Sequence, residues 1–312
     1  MVVFLWILAG LFFFILLSGV YVFVKACVRR KELPWMVEEE LRKTSFGKYY
    51  NCIVASDAWL KEHRAQDVYV QSKDGLRLHG YWIPAENPRG TVLLVHGYRS
   101  TMLVDFGLAF AFYHALGMNI LVPEHRCHGK SEGKYITFGI KESEDIIQWI
   151  AYHNDHFGMH QIFLSGMSMG ASTVLYLADQ SLPANVKCII ADCGFTSPRE
   201  ILGEVFRSVT HVPAAASLWA TDLFARIFAG FSLEEKDTRK TLAKAKLPVL
   251  MIHGSADDFV PCRMTLEGFD VCTADKELLI VQGAGHGVSF LVNKQSYTTK
   301  VIAFLEKHLE GF

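Results

Sequence analysis

Short, predominantly apolar runs recur along the chain and constrain its fold more than any other feature. Six of them, each four or five residues long, occupy residues 91–95, 119–122, 161–164, 188–191, 249–252 and 277–281. Helix-length stretches, such as 138–157 and 171–181, separate them. Strands that are apolar on both faces are typical of a sheet covered by helices on both sides. The alternation of strand and helix therefore predicts an α/β domain with a mostly parallel sheet.

Two more strands are predicted ahead of these runs, which brings the sheet to eight. Residues 68–70 and 76–82 flank Asp74-Gly75, a pair typical of hairpin turns. Residues 66–312 have a suitable length for one domain. The alternation breaks at 196–242, where apolar residues recur at helical spacing. This segment predicts a small helical cap over the sheet edge, the alternative being ordinary surface helices.

The N-terminal segment is uncharged from Val2 to Val24. As a helix it reaches roughly 34 Å, enough to cross a bilayer, so residues 1–24 are predicted to be a transmembrane helix. A cleaved signal peptide would have basic residues before a shorter apolar run. The basic residues instead follow it, which predicts a single-pass cell-membrane protein with its main domain in the cytoplasm; they are Lys25, Arg29, Arg30 and Lys31. Residues 25–65 are predicted to be a helical connector.

Charge and cysteine content exclude several classes of protein. With 31 basic and 32 acidic residues, the chain has no basic excess for binding nucleic acid. Its seven cysteines are odd in number and form no C-x-x-C pair, which favours free thiols in a reducing compartment. His125 and His128 suggest a metal pair, but no further ligands are suitably spaced, so no metal is expected.

The main chemical motif is Gly166-Met167-Ser168-Met169-Gly170, which lies between a predicted strand and a predicted helix. A serine on so sharp a turn exposes its hydroxyl, and the flanking glycines allow close backbone approach. This pattern is typical of a nucleophile elbow. The alternative is a glycine-rich turn whose serine has no chemical role.

A serine nucleophile requires a general base, and an acid to orient that base. His286, between glycines directly after the last strand, is the predicted base. His153, His156 and His160 are expected to face solvent instead. Asp257, after the strand at 249–252, is the favoured acid. Asp258 and Asp192 remain alternatives for that role.

An oxyanion hole is predicted after the strand at 91–95, at His96-Gly97-Tyr98. The backbone N–H groups of Tyr98 and Met169 would together bind the developing oxyanion. The alternative for this segment is a plain glycine turn between strand and helix.

These motifs together resemble the α/β-hydrolase fold family. The resemblance covers roughly residues 66–312 and is close to bacterial membrane-anchored members of the serine aminopeptidase-like, esterase-like branch. It includes the segment 124–133, similar to the family stretch D-x-R-G-H-G-x-S-x-G, in which Glu124 replaces Asp and Cys127 replaces Gly. The resemblance implies a triad of Ser168, Asp257 and His286, oxyanion donors at Tyr98 and Met169, and no cofactor.

The sequence thus predicts a serine hydrolase that cleaves an ester, thioester or amide through an acyl-serine intermediate. An apolar cap and a membrane anchor favour a carboxylesterase or lipase-like enzyme, with a lipophilic acyl ester as substrate. Two alternatives stay open: a serine peptidase, and a binding protein that keeps the fold without catalysis. Acyl length, physiological substrate and oligomeric state do not follow from the sequence.

Overall fold

The computed structural model describes residues 1–30, 38–210 and 214–312, so Lys31 of the predicted charged flank lies outside the described residues. The strands are β1 (Gln66–Gln71), β2 (Arg77–Ile83), β3 (Gly90–Val95), β4 (Met118–Pro123), β5 (Ile162–Met167), β6 (Val186–Asp192), β7 (Val249–Gly254) and β8 (Lys276–Val281). The first six helices are α1 (Val2–Cys27), α2 (Glu38–Arg42), α3 (Tyr50–Glu62), α4 (Met102–Ala115), α5 (Ile140–Phe157) and α6 (Met169–Leu175). The remaining helices are α7 (Pro198–Thr210), α8 (Ala215–Phe224), α9 (Thr238–Leu242), α10 (Arg263–Val271), α11 (Ser289–Val292) and α12 (Lys294–His308).

The eight strands form one sheet in the order β1-β2-β4-β3-β5-β6-β7-β8. β2 pairs antiparallel with both β1 and β4, and every other pair is parallel. The predicted mostly parallel, eight-stranded sheet is therefore confirmed. Asp74-Gly75 forms the turn between β1 and β2, with Gly75 at a φ of 87°, a conformation that glycine adopts without strain.

Helices cover both faces of the sheet, as the apolar strands predict. On one face, Phe163 of β5 packs in a cluster with Phe110 of α4 and Phe304 of α12. On the other face, its neighbour Leu164 packs with Trp149 of α5. α3 also joins the first cluster through Ile53 and Leu60, so this part of the segment before residue 66 packs on the sheet domain.

α1 is long and apolar enough to cross a membrane, by length and composition. Signal sequences meet the same criteria, so this property alone does not distinguish the two. The helix lies against α8, and α8 continues as a turn of π-helix, Ala225–Ala229. No strand occurs among the described residues of the segment 196–242, which contains α7, α8 and α9; residues 211–213 lie outside the description.

Two local predictions are wrong. The helix after Ser168, predicted from Ala171 to Ala178, ends at Leu175. Beyond it the chain tightens into i→i+3 bonds, Leu177 N–H to Val174 C=O and Ala178 N–H to Leu175 C=O, each 3.1 Å. His153 is buried, not solvent-facing. Its Nε2 lies 2.8 Å from the Thr91 hydroxyl, a partner that helical spacing cannot reveal.

Candidate active site

The turn that carries Ser168 lies between β5 and α6. Ser168 has a φ of 54°, in the left-handed region that non-glycine residues rarely adopt. A Cβ on Gly166 would overlap the carbonyl of Gly170, and a Cβ on Gly170 would overlap the carbonyl of Val95. Close backbone contacts therefore require glycine at both positions. The tightly packed backbone around them holds Ser168 in its strained conformation.

We expect Gly170→Ala to destabilise the protein by about 3 kcal/mol or more, because the added methyl would meet backbone atoms that cannot move aside. Thermal unfolding of the detergent-solubilised chain measures the effect. Gly203→Ala on α7 is the control, since its Cβ would meet only Leu218 at 3.6 Å. Equal melting temperatures for the two variants would contradict this account of the turn.

The structure brings Ser168, His286 and Asp257 together in one chain of hydrogen bonds. His286 Nε2 lies 2.9 Å from Ser168 Oγ, and His286 Nδ1 lies 2.8 Å from Asp257 Oδ2. The three residues follow β5, β8 and β7, whose carboxyl ends share one edge of the sheet. Ser45 also donates its hydroxyl to the main-chain carbonyl of His286 at 2.6 Å, a contact that no sequence pattern indicates.

Asp257 is held as an ionised carboxylate. Burial alone would raise its pKa, but hydrogen bonds from His253 and His286 hold the pKa well below its ordinary value. The other oxygen, Oδ1, accepts the N–H groups of Phe259 and Val260 at 3.0 and 2.8 Å. A carboxylate with so many donors is well suited to orient an imidazole.

The two alternative acids lie elsewhere. Asp258 is exposed. Asp192 is buried behind the site, where it accepts a hydrogen bond from Ser289 at 3.3 Å, and burial raises its pKa to about 6. Among the three carboxylates, only Asp257 is within hydrogen-bond distance of the His286 ring in the part of the chain described.

The glycine loop after β3 lies beside Ser168. The position of a Cβ on Gly97 is 3.2 Å from the Cβ of Ser168. Gly97 N–H donates to Asp105 Oδ2 at 2.6 Å, and the Ser100 hydroxyl donates to Oδ1 of the same carboxylate at 2.6 Å. The N–H groups of Tyr98 and Met169 have no acceptor among the described residues, so both donors remain available. Asp105 was not predicted, because its link to Gly97 depends on how α4 begins.

Three buried histidines support this loop from behind. His125 N–H donates to His96 Nε2 at 3.0 Å, and Arg99 N–H donates to His128 Nε2 at 2.9 Å. Burial lowers the pKa of His96 to about 3 and that of His128 to about 4. Both rings are consequently neutral and can accept these bonds. The network gives His96, His125 and His128 a structural role behind the glycine loop.

The C-terminal end of α1 is joined directly to the same loop. The Tyr98 hydroxyl donates to the carbonyl of Ala26 at 2.8 Å, and Arg99 Nη2 donates to the carbonyls of Lys25 and Val28 at 3.0 and 2.9 Å. The Tyr98 ring stacks on Phe138 with centroids 5.4 Å apart. The N-terminal helix thus helps to fix the loop that carries the predicted oxyanion donor.

Both departures from the family segment 124–133 have a structural counterpart. Cys127 has a φ of 67°, a conformation that a glycine at this position would adopt without strain. Glu124 fills the space beside Gly129, accepts the Lys130 N–H at 2.7 Å and contacts His79 Nδ1 at 2.7 Å. The longer Glu side chain therefore closes this loop through its own hydrogen bonds.

An apolar cluster surrounds the residue after the serine. Met169 is fully buried and belongs to a cluster with residues from α1, α8 and the loops before α5, after β6 and after β7, including Phe23, Phe138, Phe195, Leu218 and Val260. Ser168 itself is 8% exposed. The turn that carries Ser168 is therefore bordered by apolar side chains.

One cluster of side chains near the site consists of residue types that can bind a metal ion. Cys193, Asp257 and His286 each bring a ligand atom within 4.8 Å of the others. Burial, however, raises the pKa of the Cys193 thiol well above its ordinary value, and a protonated thiol is a poor ligand. Asp257 and His286 are also hydrogen bonded to each other. The group is better explained as a hydrogen-bonded pair with a buried cysteine beside it.

Comparison with known proteins agrees with this architecture. A family model described as alpha/beta hydrolase fold matches residues 90–214. The chain is 28% identical over 240 residues to the uncharacterized protein YqkD of Bacillus subtilis, covering 76% of this chain and 78% of that protein. It is 26% identical over 215 residues to protein bem46 of Schizosaccharomyces pombe, covering 67% and 66% respectively.

Solved structures show the same fold at low sequence identity. The esterase Pf2001 of Pyrococcus furiosus superposes with a TM-score of 0.66 at 23% identity, covering 80% of this chain and 94% of that chain. The esterase EaEST of Exiguobacterium antarcticum superposes with a TM-score of 0.58 at 19% identity, covering 77% and 100%. Identities this low establish the arrangement of the sheet and helices, not the reaction.

Proposed function

We propose that this chain, which has the α/β-hydrolase fold, is a membrane-anchored serine hydrolase that cleaves carboxylic esters through an acyl-Ser168 intermediate. The fold and its esterase neighbours support an esterase-like hydrolase. The finer proposal rests on one observation, the hydrogen-bonded series from Ser168 through His286 to Asp257. Each member is at the distance that proton transfer and imidazole orientation require.

In the proposed reaction, Ser168 Oγ attacks the carbonyl carbon of the ester while His286 Nε2 accepts the hydroxyl proton. The carbonyl oxygen becomes an oxyanion and accepts hydrogen bonds from the backbone N–H groups of Tyr98 and Met169. Collapse of the tetrahedral intermediate breaks the C–O bond, and His286 returns its proton to the leaving alcohol. Water then attacks the acyl-serine by the same route, which releases the carboxylic acid and restores Ser168.

An ester of an apolar acyl group is favoured over a peptide. The cluster around Met169 provides buried apolar surface for an acyl chain. The cationic side chain of Arg99, in the loop after β3, is hydrogen bonded to the Tyr98 hydroxyl and to the carbonyls at the end of α1. A serine peptidase and a non-catalytic binding protein are the competing assignments.

A substrate panel separates these assignments. We expect the purified full-length chain to hydrolyse p-nitrophenyl acyl esters at least about tenfold faster, in kcat/KM, than aminoacyl p-nitroanilides. The optimum should lie above acetyl, because the side chains around Met169 are apolar. Faster cleavage of the anilides would establish the peptidase instead. No cleavage of either series, together with no labelling by a fluorophosphonate, would establish the binding protein.

The membrane anchor is proposed from α1. Its large side chains are exposed, among them Phe4, Trp6 and Phe13 at 62%, 73% and 61%. Removing so much apolar surface from water favours insertion into a bilayer. Lys25, Arg29 and Arg30 follow the apolar run, so the positive-inside tendency supports a single-pass cell-membrane protein with a cytoplasmic hydrolase domain. The domain division at residues 1–24, 25–65 and 66–312, with the cap at 196–242, stays part of this proposal.

A further inference from the structure

Only the first part of α1 makes no packing contact with the other described residues of the protein. From Ser18 onward it packs on α8: Ser18 Oγ lies 2.9 Å from Ser217 Oγ, and Gly19 is in close contact with Ala220. The free part, residues 2–17, is about 24 Å long at the helical rise. A bilayer core is roughly 30 Å thick. If α1 spans the membrane, as proposed above, α8 must therefore reach the membrane boundary with it.

The outer surface of α8 and its π-helical continuation has the composition that this position requires. Trp219, Ile227 and Phe228 are 51%, 61% and 57% exposed. Large apolar side chains grouped beside an apolar helix are typical of a lipid-facing surface. Trp219 also fits the tendency of tryptophan to lie at the membrane–water boundary.

A groove of about 640 Å³ lies between α1, the π-helical turn and the loop 133–135. Its apolar part is lined by Val20, Phe23, Val24, Phe224 and Phe228. The Phe23 ring contacts the rings of Tyr135 and Phe228 with centroids 5.6 and 6.1 Å away, so the floor is aromatic. Such a groove has room for one acyl chain.

The other part of the groove is basic. Arg29, Arg30 and Lys134 line it, and no described residue of the lining is acidic. Arg29 donates to the carbonyls of Ser131 and Gly129 at 2.7 and 2.8 Å, which fixes its charge at the groove wall. Arg30 and Lys134 are exposed. Arg30 Nη2 donates to the carbonyl of Lys25 at 3.0 Å, and the other N–H groups of its guanidinium can bind a ligand.

We propose that this groove binds one anionic phospholipid, with an acyl chain along Phe224 and Phe228 and the phosphate against Arg30 and Lys134. The proposal rests on the membrane anchoring of α1. It is independent of the reaction at Ser168. A net negative headgroup is selected because the groove contributes three cations and no compensating carboxylate among its described residues. A zwitterionic lipid would be less favoured, because its headgroup carries a positive charge that these basic side chains repel.

Photo-crosslinking in nanodiscs tests the proposal. The full-length chain is reconstituted in phosphatidylcholine discs that contain a trace of diazirine-acyl phosphatidylglycerol or the matching phosphatidylcholine probe. We expect the phosphatidylglycerol probe to crosslink at least about tenfold more than the phosphatidylcholine probe, at peptides containing Phe224 or Phe228. The expectation assumes that each basic residue raises affinity for the anionic lipid about fivefold. Arg30→Gln combined with Lys134→Gln should lower this preference by at least about tenfold, which leaves only the contribution of Arg29.

The control variant combines Lys240→Gln and Lys244→Gln, which removes the same charge from exposed residues outside the groove and should leave the preference unchanged. Equal labelling by both probes in the wild type, or loss of preference in the control as well, would overturn the phospholipid site. Extraction with alkaline carbonate reports separately on anchoring, and fluorophosphonate labelling reports on Ser168. A chain that resists extraction and labels normally, yet shows no lipid preference, refutes the groove alone.

Discussion

Ser168→Ala is expected to lower kcat on ester substrates by a factor on the order of 10⁵ to 10⁶, because no other hydroxyl replaces the nucleophile. Fluorophosphonate labelling should disappear in the same variant. Removing one oxygen from a side chain that is 8% exposed should leave the melting temperature nearly unchanged. Measurements of kcat, covalent labelling and thermal unfolding on the same preparations check all three expectations.

The matched control is Ser208→Ala on α7, where the hydroxyl donates to the main-chain carbonyl of Val205 at 2.9 Å on an exposed surface. This variant should keep wild-type activity and labelling. Retention of more than about one tenth of wild-type activity by Ser168→Ala would refute the acyl-serine mechanism. Residual catalysis of about 10³ to 10⁴ over water is compatible with it, since the backbone donors remain.

Asp257→Asn is expected to lower kcat by about 10⁴, because an amide would stabilise the wrong tautomer of His286 and would not stabilise the imidazolium. The effect should be present throughout the range above pH ~4, since hydrogen bonds from His253 and His286 hold the pKa of Asp257 below its ordinary value. A lowered pKa in the folded state also means that Asp257 adds stability above that ordinary value. The added stability disappears only as the pH falls further.

Two neighbouring carboxylates provide the comparison. Asp258→Asn should change kcat less than about threefold, because Asp258 is exposed. Asp192→Asn should change kcat less than about tenfold, because its carboxylate bonds Ser289 rather than His286. A loss of 10³ or more in either variant, with Asp257→Asn nearly active, would show that the acid had been assigned to the wrong residue.

Much of the fold could be predicted because the signals are local. Buried strands such as β3 and β5 consist of short, mostly apolar runs, because burial of both faces leaves few positions for polar side chains. The turn at Asp74-Gly75 and the strand–serine–helix order at Ser168 are likewise contained within a few residues. His286 could be selected among 13 histidines because it follows the last strand between two glycines.

Other features required the tertiary structure. Asp257 and Asp258 are adjacent in sequence, and only the path of the loop after β7 decides which carboxylate reaches the imidazole. The bonds from Tyr98 and Arg99 to the end of α1 join residues more than 70 positions apart. The burial of His153 depends on Thr91, in a strand 62 positions away. Short-range periodicity contains no information on such pairs.

The amino-acid sequence by itself therefore determined the kinds of elements, their order and the positions of the serine and histidine, because hydrophobic periodicity and turn chemistry act over a few residues. The tertiary structure decided which side chains meet: the carboxylate behind His286, the carboxylate on Gly97, and the contact of α1 with α8 and with the loop beside Ser168. These contacts arise from packing between distant segments, where the shape and polarity of both partners must fit at once.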